Sequence, residues 1–87
     1  MPVRPDAITA HAQTLGADAE ALTECATRLR ALAARLRTHK ATPPWLYDTV
    51  NAHITACVVA SADLAEASAR LRAYAALTAE GPDDGPV

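Results

Sequence analysis

The sequence predicts an all-α protein that folds as an antiparallel two-helix hairpin. Three observations support this prediction: each half of the 87-residue chain carries a heptad pattern, two adjacent prolines lie at the centre, and the composition is rich in alanine. Alanine has the highest helix propensity but brings little apolar area to a core. The chain therefore forms helices readily but builds only a thin core by itself, because a domain this small is near the lower limit for one core.

The first helix is predicted over about residues 5–40. Pro5 is favoured in a first helical turn, and Asp6 complements the positive end of the helix dipole. Alanine recurs four residues after each of the first four large residues, so the pattern is a heptad with alanine at every other core position. Such a helix lets a neighbouring backbone approach closely. The large seam residues of this helix are Ile8, Leu15, Leu22, Leu29 and Leu36.

The segment 42–45, here called the hinge, separates the two helices with the sequence Thr42-Pro43-Pro44-Trp45. Proline interrupts a helix and also disfavours helical backbone in the residue before it. We expect Thr42 to cap the second helix and Pro43 to occupy its first position. A connection this short forces the helices to pack antiparallel, so that residues whose numbers sum to about 84 are neighbours.

The second helix is predicted over about residues 43–79. Gly81 and Pro82 stop it, and residues 81–87 form a flexible acidic tail outside a single domain of residues 1–80. Two helices cannot cover both apolar faces, so we expect the hairpin to dimerise into a four-helix bundle with a second copy or a related hairpin. The seam of this helix contains Val50, Ile54, Leu64 and Leu71.

The only aromatic residues near the hinge are Trp45 and Tyr47. One interpretation is that the Trp45 ring covers the open end of the hairpin core. The other is that the hinge, with Pro43 and Pro44, presents an aromatic anchor to another protein. The two interpretations are compatible.

The hairpin arrangement predicts that Cys25 and Cys57 lie close together. They form either a disulfide or a pair of reduced thiols packed as small core residues. His53 lies one turn from Cys57, but a fourth metal ligand is missing, so we expect no metal. No nucleophile has an evident base and no glycine-rich phosphate loop occurs, so we expect a non-enzymatic protein without a cofactor.

Charge and targeting features narrow the function further. The net charge of −2 and the isoelectric point near 5.8 give no reason to expect nucleic acid or an anionic membrane as a partner. No Sec-type signal peptide is recognisable at the N-terminus. The longest uncharged run, 49–62, is too short and too polar to span a bilayer. We therefore expect a chain that is cytoplasmic on synthesis and does not insert into membranes.

With these features the chain resembles the small helical-hairpin proteins of actinobacterial type VII (ESX-type) secretion, the WXG-motif superfamily and its EspC-like relatives. The likeness covers about residues 3–80 and rests on the length, the alanine–leucine heptads, Trp45 at the central turn and Tyr74 near the end of helix two. Tyr47 stands where the family has the glycine of Trp-x-Gly. Thr78 stands where the family's Tyr-x-x-x-Asp/Glu export signal has its acidic residue, and Glu80 follows two residues later.

The resemblance implies a secretion substrate, or a small partner or targeting module for a larger substrate, exported without a Sec signal peptide. The implied partner is another hairpin, in a homodimer or heterodimer, or the helical domain of a larger secreted protein. Tyr74 and Glu80 are the implied export-signal residues, and in such families a partner can carry the signal instead. The alternative is a cytoplasmic helical adaptor or regulatory protein with no export role.

Overall fold

The computed structural model describes residues 4–79, which form two α-helices, α1 (Pro5–Thr38) and α2 (Pro44–Ala79). The helices pack against each other over their length, which confirms the predicted all-α hairpin. At 34 and 36 residues they are about 51 and 54 Å long. Residues 81–87, for which an acidic tail was predicted, lie outside the described residues.

The helix ends at the hinge differ from the prediction by one or two residues. α1 ends at Thr38, because His39 already has extended backbone and donates its N–H to the Leu36 carbonyl. α2 begins at Pro44, one residue later than predicted, so Thr42 does not cap it. The Pro43 carbonyl instead accepts the Leu46 N–H at 3.1 Å, while the Thr42 N–H closes a turn onto the His39 carbonyl. Pro44 occupies the first helical position, where a missing N–H costs nothing.

The core between the helices is made mainly of alanine. Four alanines at seven-residue intervals on α1 are at most 5% exposed, and we call them the alanine seam: Ala12, Ala19, Ala26 and Ala33. Ile8, Val50 and Ala75 are also buried, and no large side chain in the described residues is completely enclosed. A core of side chains this small brings the helix backbones close but buries little apolar area.

The register is the one predicted from the hinge. Thr23 contacts Ser61 and Arg37 contacts Tyr47, and in both pairs the residue numbers sum to 84. The Ser68 hydroxyl donates to the Ala12 carbonyl, in a pair that sums to 80. These contacts confirm that the short connection sets the antiparallel alignment.

Candidate functional site

One side of the hairpin is a strip of half-buried leucines, here called the leucine face. It consists of the large residues three positions after each alanine of the seam, together with the α2 leucines that the register brings to the same side. A leucine that is half-buried in the hairpin still exposes apolar surface that a partner could cover. The leucine face comprises Leu15, Leu22, Leu29, Leu36, Leu64 and Leu71.

The predicted seam residues therefore divide into two groups. Ile8 and Val50 are buried inside the hairpin, whereas Ile54 and the leucines of the seam are half-buried. The alanines, which the heptad places one turn away from the leucines, are deeper than the leucines themselves. The seam leucines thus keep part of their apolar surface accessible, whereas the alanines are enclosed between the helices.

The opposite side of the helix pair is closed by hydroxyl groups. Ser68, only 5% exposed, donates to the Ala12 carbonyl at 2.7 Å, and Ser61 donates to the Ala19 carbonyl at 2.8 Å. Thr23 adds a hydroxyl contact of 2.7 Å to Ser61. The serine hydroxyls thus find hydrogen-bond partners within the hairpin, so this side needs no partner chain to satisfy them. The sequence analysis did not predict that Ser61 and Ser68 bond to the opposite helix, although their seven-residue spacing matches that of the alanine seam.

At the hinge the two aromatic residues differ in their surroundings. Trp45 is 66% exposed, so it does not cover the end of the core in the hairpin. The Tyr47 hydroxyl accepts hydrogen bonds from Arg37 Nη2 at 2.7 Å and Nε at 3.2 Å, and the guanidinium lies 5.5 Å from the ring centre. The hydrogen bond from Arg37 lowers the pKa of the Tyr47 phenol. Tyr47 therefore ties the two helices together, while Trp45 is free to contact another molecule.

Cys25 and Cys57 face each other across the hairpin near the leucine face, as the register predicts. Both are half-buried, and they are free thiols in this structure. Burial raises the pKa of the Cys57 thiol, and the neighbouring Cys25 thiol raises it further. Both alternatives left by the sequence, the disulfide and the packed reduced pair, need this proximity, and both remain predictions.

The candidate export signal is only partly within the described residues. Tyr74 is 54% exposed on α2, and the Thr78 hydroxyl donates back to the Tyr74 carbonyl at 3.2 Å. Thr78 thus belongs to the same continuous helix as Tyr74. Glu80 lies outside the described residues.

Formal charge is distributed unevenly along the hairpin. The hinge half, residues 28–62, contains five Arg and Lys residues and one carboxylate, Asp48. The terminal half, residues 4–27 and 63–79, contains three Arg residues and six carboxylates. The salt bridges that form among residues 4–79, Arg4–Asp6 and Arg70–Glu66, both lie in the terminal half. The cations of the hinge half thus have no carboxylate partner among these residues.

Other kinds of site find no support in the part of the chain that the structure describes. Neither helix has an apolar stretch long enough to cross a membrane. No group of three or more histidine, cysteine or acidic side chains in residues 4–79 is placed to share a metal ion.

Comparisons with protein-family models, with characterised proteins and with solved structures find no match. The family resemblance described in the sequence analysis therefore rests on the hairpin, the heptads and the tryptophan of the hinge alone.

Proposed function

We propose that this chain is a non-enzymatic partner protein that acts by packing its leucine face against a second helical hairpin. The observation that carries this proposal is that the small alanines are buried in the core, whereas the larger leucines are only half-buried and keep part of their surface accessible. The face is about 50 Å long, so it needs about 16 Å of width to bury the ~800 Å² per partner of a typical specific interface. Two adjacent helices are about 20 Å wide. A four-helix bundle is the simplest assembly that covers the leucine face.

The occupant we propose for this face is a second copy of the chain that lies antiparallel to the first. We call this symmetric arrangement the head-to-tail dimer. In that arrangement the hinge half of each copy, with five cations and one carboxylate, lies beside the terminal half of the other, with three cations and six carboxylates. A parallel arrangement would instead place the like-charged halves together. Complementary charge selects orientation more than it adds affinity.

The biological setting that we propose is type VII-like secretion, in which the dimer would be a substrate or a partner of a larger substrate. The hairpin fold and the exposed Trp45 at its tip support this setting. The alternative, an adaptor without an export role, is favoured by Tyr47 and Thr78 at two positions where the resembled families carry other residues. Expression beside a type VII system, followed by assay of the culture medium, separates the two. Protein that stays in the cells with every co-expressed neighbour would favour the adaptor.

The interface is tested by comparing Leu29→Asp with Ala31→Asp. Leu29 lies on the leucine face, whereas Ala31 is exposed on another side of the same helix. Leu29 is already half-buried in the hairpin, so dimerisation can bury at most about a third of its surface, which is worth about 0.5–1 kcal/mol in each copy. A symmetric dimer loses this contribution twice and must also desolvate two carboxylates, so Leu29→Asp should weaken dimerisation at least about tenfold. Ala31→Asp should remain dimeric. Sedimentation equilibrium measures both, and a wild-type chain that is monomeric at micromolar concentration would refute the second copy as occupant.

A further inference from the structure

A shallow basic groove lies beneath the hinge. It has a volume of about 340 Å³, and its lining combines apolar residues, two cations and three further polar residues: Leu36, Pro43 and Pro44, Arg37 and Lys40, and His39, Thr42 and Tyr47. Arg37 is held in place by its two hydrogen bonds to Tyr47. Neither Arg37 nor Lys40 has a carboxylate within salt-bridge distance among residues 4–79. The groove therefore offers a partly apolar lining and two positive charges without a carboxylate partner to an acidic segment.

We propose that this groove binds Glu80 and the acidic tail of a second copy of the chain. Three carboxylates, Glu80, Asp83 and Asp84, lie within the eight residues 80–87. Their negative charge complements the positive charge of Arg37 and Lys40 in the groove. The chain's own carboxylate nearest in sequence, Asp48, forms no salt bridge with either cation. The proposal rests on the head-to-tail dimer proposed above and names a specific contact within it.

Distances along the chain exclude the chain's own tail as the occupant. α2 runs away from the hinge for 36 residues, so Ala79 lies about 54 Å from Pro44. Residues 80–87 span at most about 28 Å when completely extended. They cannot return to their own groove. In a head-to-tail dimer, by contrast, α2 of one copy ends beside the hinge of the other, so each tail starts within reach of a groove.

The chain carries its own reporter for this contact, because Lys40 is its only lysine. A carbodiimide joins an amine to a neighbouring carboxylate as an amide. We would treat an equal mixture of unlabelled and ¹⁵N-labelled full-length protein and sequence the crosslinked peptides by mass spectrometry. The expected product is a mixed-isotope amide between Lys40 Nζ and Glu80, Asp83 or Asp84. Lys40→Arg, which keeps the charge but removes the amine, should abolish it.

A second measurement uses the triple variant Glu80→Gln, Asp83→Asn and Asp84→Asn in the full chain. Its dimer should dissociate roughly tenfold more readily than wild type at low ionic strength, and the difference should vanish near 1 M salt, where charges are screened within about 3 Å. The tail contact is refuted if Lys40 couples only to other carboxylates, or if the triple variant dimerises with the same affinity as wild type. Either result leaves the proposed dimer unchanged. A monomer overturns both proposals.

Discussion

Replacing Gly16 by alanine should stabilise the hairpin, although this glycine lies directly against the opposite helix. A Cβ atom at residue 16 would lie 3.4 Å from Ser68 Oγ and 3.8 Å from Arg72 Nη2. Both separations are ordinary van der Waals contacts, and no backbone atom of α2 lies among them. Seven residues further along α1, Thr23 carries a larger side chain beside Ser61, the counterpart of Ser68. The helix pair therefore has room for a methyl group at residue 16.

The expected gain is about 1 kcal/mol, the difference between glycine and alanine inside a helix. The two added contacts contribute only tenths of a kcal/mol. For a domain of this size, 1 kcal/mol corresponds to a rise in Tm of about 4–8 °C. Because dimerisation would make Tm depend on concentration, the variants must be compared at equal protein concentration.

Thermal unfolding followed by circular dichroism measures the change, with Ala17→Gly as the matched control. Ala17 is the exposed neighbour of Gly16 and should lose about the amount that Gly16→Ala gains. A lower Tm for Gly16→Ala would refute the reasoning, because it would mean that close packing requires the glycine. Repeating the change in a Ser68→Ala background locates the cause, since a clash with Ser68 Oγ would disappear there.

Two further changes probe the core. Ala26→Leu should cost about 1–3 kcal/mol in urea unfolding, because Ala26 is 1% exposed between close-packed helices, whereas the exposed control Ala31→Leu should stay within about 0.5 kcal/mol. Equal effects would contradict a close-packed seam. Cys57 should be alkylated near pH 8 more slowly than in the urea-unfolded chain, because its raised pKa leaves less of the reactive thiolate. Cys25→Ala should speed the reaction, and mass spectrometry that finds no change would contradict the contribution of Cys25.

The fold could be predicted from the sequence because the hinge constrains it so strongly. Two prolines end one helix and start the next, and a short connection then leaves only the antiparallel register, which also brings Cys25 beside Cys57. The exact helix ends could not be predicted, because at Thr38 and Pro44 they depend on single backbone hydrogen bonds in the turn.

The candidate site was less predictable for a different reason. The heptad identifies an apolar stripe, but how deeply Leu22 or Ala26 is buried depends on how the helices rotate toward each other. That rotation is coupled to side chain–backbone bonds such as Ser68 to Ala12, which no residue pattern reveals. The pairing of Arg37 with Tyr47 follows from the register, but the orientation of the guanidinium over the ring does not.

The hydroxyl bonds between the helices also bear on the order in which the chain folds. The Arg37–Tyr47 contact closes a loop of 10 residues, whereas Ser61–Ala19 and Ser68–Ala12 close loops of 42 and 56. Loop-closure entropy makes the longest of these roughly 1.5 kcal/mol more costly to form first than the shortest. Assembly is therefore easiest from the prolines outward, with each heptad shortening the loop that the next must close. We therefore expect the bond between Ser68 and Ala12, the longest-range of the three, to form last and to break first on unfolding.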